Sequence, residues 1–100
     1  MAELKSLLLL AKKTPHNFVL VANGANTTVL LSRKAIPPKQ VQEAKSSAEG
    51  GKVYYGVVEG REGDFVFKIE GKAPSGLENI VRNCIKREAG IAVSVVIEAG

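Results

Sequence analysis

Residues 74–90 read PSGLENIVRNCIKREAG, and this stretch predicts a helix with both of its ends marked in the sequence. Ser75 is followed three residues later by Glu78, which matches the capping box, a pair of side chains that accept hydrogen bonds from backbone amides at a helix start. Gly90 suits the left-handed position that commonly ends a helix. The apolar residues between these ends recur at helical spacing and predict one buried stripe: Leu77, Ile80, Val81, Cys84 and Ile85.

Strands are predicted on both sides of this helix. Before it, residues 52–59 and 64–70 flank turn residues at 60–63, a pattern typical of a β-hairpin. After it, the apolar residues of 91–98 recur at every second position. That spacing places them on one face of a closing strand.

The first half of the chain predicts a helix, a hairpin and a second helix. Residues 3–13 form an apolar helical pattern that ends before Pro15, because the residue before a proline disfavours helical backbone. Residues 18–22 and 27–33 predict two strands joined by turn residues. Residues 38–48 predict the second helix, so the complete order is αββαββαβ.

This order predicts a single α+β domain spanning residues 1–100. We expect a mostly antiparallel five-stranded sheet, with the second and third helices on one face. One alternative is a ferredoxin-like βαββαβ core with an extra N-terminal helix and strand. That core places its first strand in the centre, which leaves no hairpin position for the strand at 18–22, so the strand order stays open.

The composition is that of a globular protein. Of the 100 residues, 45% are hydrophobic and 24% charged, which argues against intrinsic disorder. The net charge of +4 lies in the first half, where seven basic side chains accompany three acidic ones, whereas residues 51–100 carry seven of each. A lone cysteine excludes an internal disulfide, and no apolar run has the length of a membrane span. We therefore expect a cytoplasmic protein without a membrane partner.

The sequence does not favour catalysis. His16 is the sole histidine and follows Pro15, so we expect a solvated loop residue with no catalytic partner. Cys84 lies on the apolar stripe of the third helix, where a buried and inert thiol is expected. Metal-ligand spacing is absent from the sequence. The chain is therefore predicted to be no enzyme and to hold no cofactor or metal.

The leading functional hypothesis is a non-catalytic interaction module that binds a protein partner or a second copy through a sheet surface or edge. Residues 18–22 are apolar on both faces of their strand, and other strands also carry apolar residues on both faces. This exceeds what a sheet covered on one side needs, and exposed apolar surface commonly marks an interaction site. The predicted interface comprises Phe18, Val19, Val21, Tyr54, Val58 and Val66.

The alternative hypothesis is a basic domain that binds RNA or single-stranded nucleic acid. Phe65 and Phe67 have the spacing with which RNA-recognition sheets stack bases, although such alternation more often packs a core. Excess positive charge would attract phosphate. The residues predicted for this function are Lys12, Lys13, Arg33, Lys34, Lys39, Lys45, Arg82 and Lys86.

Overall fold

The computed structural model describes residues 2–99, and the side chains of all of these except 2, 3 and 25. Its helices and strands follow the predicted order: α1 Ala2–Ala11, β1 His16–Ala22, β2 Thr28–Ser32, α2 Pro38–Ser47, β3 Lys52–Arg61, β4 Asp64–Ile69, α3 Leu77–Ala89 and β5 Val95–Ala99. A short 3-10 helix, Gly24–Asn26, lies between β1 and β2. The predicted α+β class and the mostly antiparallel five-stranded sheet are confirmed.

The strands lie in the order β2-β1-β3-β4-β5. Every neighbouring pair is antiparallel except β4 and β5, which run parallel. The β2 strand is therefore an edge strand, whereas the ferredoxin-like alternative requires it at the centre. That alternative is wrong, because β1 pairs with β2 on one side and with β3 on the other.

The helices cover both faces of the sheet, but unequally. The front face carries Phe18, Leu20 and Phe67 in one large buried cluster, which side chains of α1 and α3 complete. The back face carries a smaller cluster, in which Val19 and Val21 pack beneath α2. The expectation that the second and third helices share a face was wrong. Residues 18–22 are apolar on both sides because β1 is the strand that is covered on both.

Gly56 allows close packing at the centre of the front face. It lies opposite Phe18 in the strand register, and the Phe18 ring meets the Phe67 ring edge to face, with centroids 5.0 Å apart. A Cβ atom at Gly56 would lie 1.8 Å from the carbonyl oxygen of Lys68 and 3.1 Å from the Phe18 ring. The sheet therefore has no room for a side chain at this position.

The two ends of α3 differ in how well the sequence predicted them. Gly90 ends the helix in the left-handed conformation, with φ 72°, and its amide donates to the carbonyl oxygen of Lys86, as predicted. The capping box was wrong, because the N-cap is Gly76 at φ 83° and no side chain caps the helix start. The helix begins one residue later than predicted, which moves Ser75 out of the capping position.

Candidate protein-interaction site

No described helix covers the back face over β4, β5 and most of β3. Among the described residues, the buried cluster beneath α2 takes in Val53 at the start of β3, but no side chain of β4 or β5. Beyond it, the Tyr55 side chain is 47% exposed and Val96 is 39% exposed. We call this region the open back surface. It comprises Tyr55, Val57, Glu59, Arg61, Val66, Lys68, Val96 and Glu98.

Ion pairs cross the open back surface from β3 to β5. The guanidinium of Arg61 donates from Nη1 to Glu98 Oε2 at 2.8 Å and from Nη2 to Glu59 Oε1 at 3.0 Å. Lys68 Nζ lies 2.7 Å from the same Glu59 oxygen. Arg61 stands on β3 and Glu98 on β5, so the Arg61 side chain passes over Val66 of β4. This explains why Val66 is only 2% exposed although no described helix packs on it.

These ion pairs shift the protonation equilibria of their members. Hydrogen bonds from Lys68 and then from Arg61 lower the pKa of Glu59 below its ordinary value. Glu98, and to a lesser extent Glu59, raises the pKa of Arg61. Both shifts favour the charged forms of Glu59 and Arg61, and the set contains two basic and two acidic side chains. The open back surface thus combines exposed apolar side chains with a neutral set of charges.

Shallow grooves border the exposed apolar side chains. One groove of about 210 Å³ lies between Tyr55 and Val57 on one side and α2 on the other. Ile36, just before α2, and Val41, within α2, form that second side. A second groove of about 510 Å³ crosses from β3 over the end of β4 to β5, where it reaches Ala99 at the sheet edge. The open back surface is therefore continuous with the free edge of β5.

The edge strand β2 is capped by α3. The carbonyl oxygen of Thr27 accepts hydrogen bonds from the Arg87 guanidinium and from the Cys84 thiol, the latter at 3.4 Å. The backbone of Val29 also contacts the Cys84 sulfur. Because alternate residues of a strand turn their backbone groups to the same side, these are the groups that face away from β1. An added strand would have to displace α3 to pair at this end of β2.

The other edge strand, β5, turns backbone groups outward. The Phe65 amide donates to the carbonyl oxygen of Ser94 at 2.8 Å, so Ser94 faces β4. Because backbone groups alternate in direction along a strand, the amides and carbonyls of Val95, Ile97 and Ala99 then point away from β4. The β5 edge thus offers amides and carbonyls in line for another strand.

The candidate nucleophile and the candidate base are both buried. Cys84 is 1% exposed, as expected, and burial with the nearby Glu88 carboxylate raises the pKa of its thiol to about 12. The expectation of a solvated His16 was wrong, since it is 1% exposed and begins β1. Its Nδ1 lies 2.7 Å from the carbonyl oxygen of Thr14, and its Nε2 has no hydrogen-bond partner within the described residues. Sequence spacing could have predicted the burial of His16, because this residue continues the front-face alternation of Phe18 and Leu20.

The residues predicted for a protein interface are all buried or half-buried within the chain: Phe18, Val19, Val21, Tyr54, Val58 and Val66. Three of them face the front cluster, two lie beneath α2, and Val66 lies beneath Arg61. The structure does not bring them together on one surface, and binding at these positions stays a prediction. Sequence reasoning missed Tyr55 and Val96, whose exposure depends on which half of the sheet α2 covers.

The basic residues predicted for nucleic-acid binding are all exposed: Lys12, Lys13, Arg33, Lys34, Lys39, Lys45, Arg82 and Lys86. The first four lie in the connections that follow α1 and β2, at one end of the sheet, where Asn17 of β1 pairs with Ser32 of β2. The next two lie on α2 at the back, and the last two on α3 at the front. The eight residues therefore do not form one surface.

The aromatic residues weighed for base stacking belong to the core. Phe65 and Phe67 are each 1% exposed and face the helices of the front layer. Lys12 Nζ lies 5.4 Å from the centroid of the Phe65 ring, so this lysine already contacts an aromatic face. The core interpretation of both rings is confirmed.

Residues 2–99 contain no group of three or more His, Cys, Asp and Glu side chains arranged to hold a metal ion. Within the same range, no helix is both long enough and apolar enough to cross a membrane. Comparison of the chain with protein-family models, curated proteins and solved structures finds no match.

Proposed function

We propose that this chain is a non-catalytic interaction module that binds a protein partner through the open back surface and the adjoining β5 edge. The observation that carries the proposal is the exposure of Tyr55 and Val96, 47% and 39%, on a sheet face that α2 covers only in part. Tyrosine is enriched at protein interfaces because its ring buries a large apolar area and its hydroxyl still finds a polar partner.

The arrangement around these residues suits a protein rather than a small molecule. Protein interfaces combine an apolar centre with a polar rim. Here Tyr55 and Val57 on β3 and Val96 on β5 supply apolar area, and the Arg61 and Lys68 ion pairs between them supply charges that are already balanced. The grooves beside them are shallow, whereas small-molecule sites are enclosed clefts.

The difference between the two sheet edges supports the same conclusion. An open edge strand is a template for pairing with another chain, and proteins usually block it. The start of the β2 edge is covered by Cys84 and Arg87 of α3. The outward backbone groups of β5 have no such cover among the described contacts, which favours strand addition at β5 as the mode of binding.

Site-specific photo-crosslinking in the host cells tests the proposal. A photoreactive phenylalanine replaces Tyr55 or Val96 in separate variants, and Gln42 on the exposed side of α2 is the matched control position. We expect positions 55 and 96 each to yield protein adducts that position 42 does not yield. Equal adducts at all three positions, or none at 55 and 96, would contradict a binding surface here.

A second candidate function is nucleic-acid binding at the sheet end that carries Lys12, Lys13, Arg33 and Lys34. The exposure of all four favours it, because phosphate contacts need accessible cations. Fluorescence anisotropy with a single-stranded RNA at two salt concentrations tests it. A Lys13→Glu/Arg33→Glu variant should lose affinity and show a shallower salt dependence, whereas Lys52→Glu/Lys72→Glu makes the same charge change elsewhere and should not. The candidate is excluded if the wild-type chain does not bind at low salt.

A further inference from the structure

We propose that the partner at the β5 edge is a second copy of this chain, paired antiparallel about a two-fold axis at Ile97. The two sheets would then join into one continuous sheet. This inference rests on the proposed function and identifies the partner that binds the β5 edge. Three features of β5 support it: the direction of its backbone groups, the match of its front side chains and the charges at its back.

The backbone of β5 is complementary to itself in this register. Val95, Ile97 and Ala99 direct their amides and carbonyls outward, as the Phe65–Ser94 hydrogen bond shows. Antiparallel strands form hydrogen-bonded pairs at every second residue. With the axis at Ile97, these three residues face the same three residues of the second copy. Every outward group of the strand then has a partner.

The front-face side chains of β5 also pack well against the same side chains of a second copy. Residues directly opposite in an antiparallel pair lie on the same face and pack against each other. Ile97 would meet Ile97 of the second copy, and Val95 would meet Ala99. Val95 is buried, and Ile97 packs against the front cluster. The apolar cluster of one copy would thus continue into that of the other.

The charged side chains at the back also favour a second copy in this register. The same register places Glu98 of the second copy opposite Val96, and no acidic residue opposite Glu98. The Arg61 guanidinium already reaches Glu98 on β5 at 2.8 Å. The strand of the second copy lies about 4.8 Å beyond β5, and its Glu98 stands opposite Val96. A guanidinium carries five N–H donors, so Arg61 has donors left for this second carboxylate, and symmetry repeats the contact.

Two substitutions at one position test the register. Val96→Glu and Val96→Lys remove the same apolar side chain, which is 39% exposed, so the loss of packing is matched. Val96→Glu places like charges opposite each other, whereas Val96→Lys places a cation opposite Glu98 of the second copy. We expect sedimentation velocity to show a wild-type dimer, and Val96→Glu to raise the dimer dissociation constant about tenfold relative to Val96→Lys. Circular dichroism confirms that both variants fold.

Amide hydrogen exchange provides an independent measurement on the unaltered chain. The Val96 and Glu98 amides face β4 and should be protected at every protein concentration. The Ile97 and Ala99 amides face outward and should become protected only as concentration rises. Alternating, concentration-dependent protection supports pairing at β5. Equal exchange of the outward amides at low and high concentration contradicts it.

The outcomes separate this inference from the proposed function. A wild-type chain that remains monomeric at high micromolar concentration overturns the second copy. So does a dimer that Val96→Glu and Val96→Lys weaken equally. If photo-crosslinking at position 96 then captures a different protein, the partner assignment is wrong and the interaction surface stands. If it captures nothing, both proposals fail.

Discussion

The thiol of Cys84 lies 3.4 Å from the carbonyl oxygen of Thr27, a residue 57 positions earlier in the chain. This contact ties the middle of α3 to the start of β2. Together with Arg87, it occupies the outward carbonyl group next to the first residue of β2. One buried cysteine thus helps to cover the start of this sheet edge, whereas no such contact is described along β5.

The first prediction concerns the reactivity of this thiol. The attacking species in thiol chemistry is the thiolate, and burial raises the pKa of Cys84 to about 12. Native protein at pH 7.5 should therefore react with a thiol-specific reagent far more slowly than protein in denaturant. The measurement is the rate of colour release from a disulfide reagent in both states. Equal rates would show an accessible thiol.

The second prediction concerns stability at alkaline pH. Because folding raises the pKa of Cys84 from 9.0 to about 12, the unfolded chain loses this proton first as the pH rises. The stabilisation is fully present below pH 9 and is lost between pH 9 and 12, by up to about 1.4 kcal/mol per pH unit. Urea titrations across this range should show a steeper loss for the wild type than for Cys84→Ser, which keeps a hydroxyl donor for Thr27. Parallel pH profiles for the two proteins would contradict the assignment.

The third prediction concerns the centre of the sheet. Gly56→Ala should lower the free energy of unfolding by about 3 kcal/mol, because its methyl group meets the Lys68 backbone and the Phe18 ring. Gly71→Ala is the control, since Gly71 has φ +91° and no atom within 4 Å of a Cβ. Its cost should be about 1 kcal/mol, from backbone strain alone. Chemical denaturation measures both, and a Gly56→Ala cost no larger than that of Gly71→Ala would show that the sheet can open here.

The fourth prediction concerns the tautomer of His16. A carbonyl oxygen accepts hydrogen bonds but cannot donate, so the 2.7 Å contact with Thr14 requires a proton on Nδ1. The neutral ring should therefore carry its hydrogen on Nδ1 and leave Nε2 as an unpaired acceptor. Nitrogen-15 spectra of the imidazole distinguish the tautomers by chemical shift. A protonated Nε2 in the neutral ring would mean that the Thr14 contact is not a hydrogen bond.

Local patterns predicted the element order, because periodicity and turn residues act within a few positions. Spacing along the sequence correctly predicted Gly90 at the end of α3 and Cys84 on the buried stripe. Contacts between distant segments were not predictable in this way. The burial of Val66 depends on Arg61 reaching across β4 to Glu98, and the exposure of Tyr55 depends on where α2 ends its cover of the sheet. The candidate site consists mostly of such relationships, so the sequence identified its kind of surface but not its residues.

The fifth prediction concerns the ion pairs of the open back surface. Lys68 lowers the pKa of Glu59 more than Arg61 does. Lys68→Ala should therefore raise the Glu59 pKa further toward its ordinary value of 4.5 than Arg61→Ala, and Lys72→Ala should leave it unchanged. A titration of the Glu59 side-chain carboxyl carbon by NMR measures all three variants.

The sign of the accompanying stability effect follows from the lowered pKa. A carboxyl group whose pKa falls on folding stabilises the protein above its unfolded pKa, and this stabilisation is lost as the pH falls through the folded value. Because the groups are exposed to solvent, salt should weaken the shift in every protein that retains Lys68 or Arg61. A larger rise of the Glu59 pKa in Arg61→Ala than in Lys68→Ala would contradict the stronger influence of Lys68 on this carboxylate.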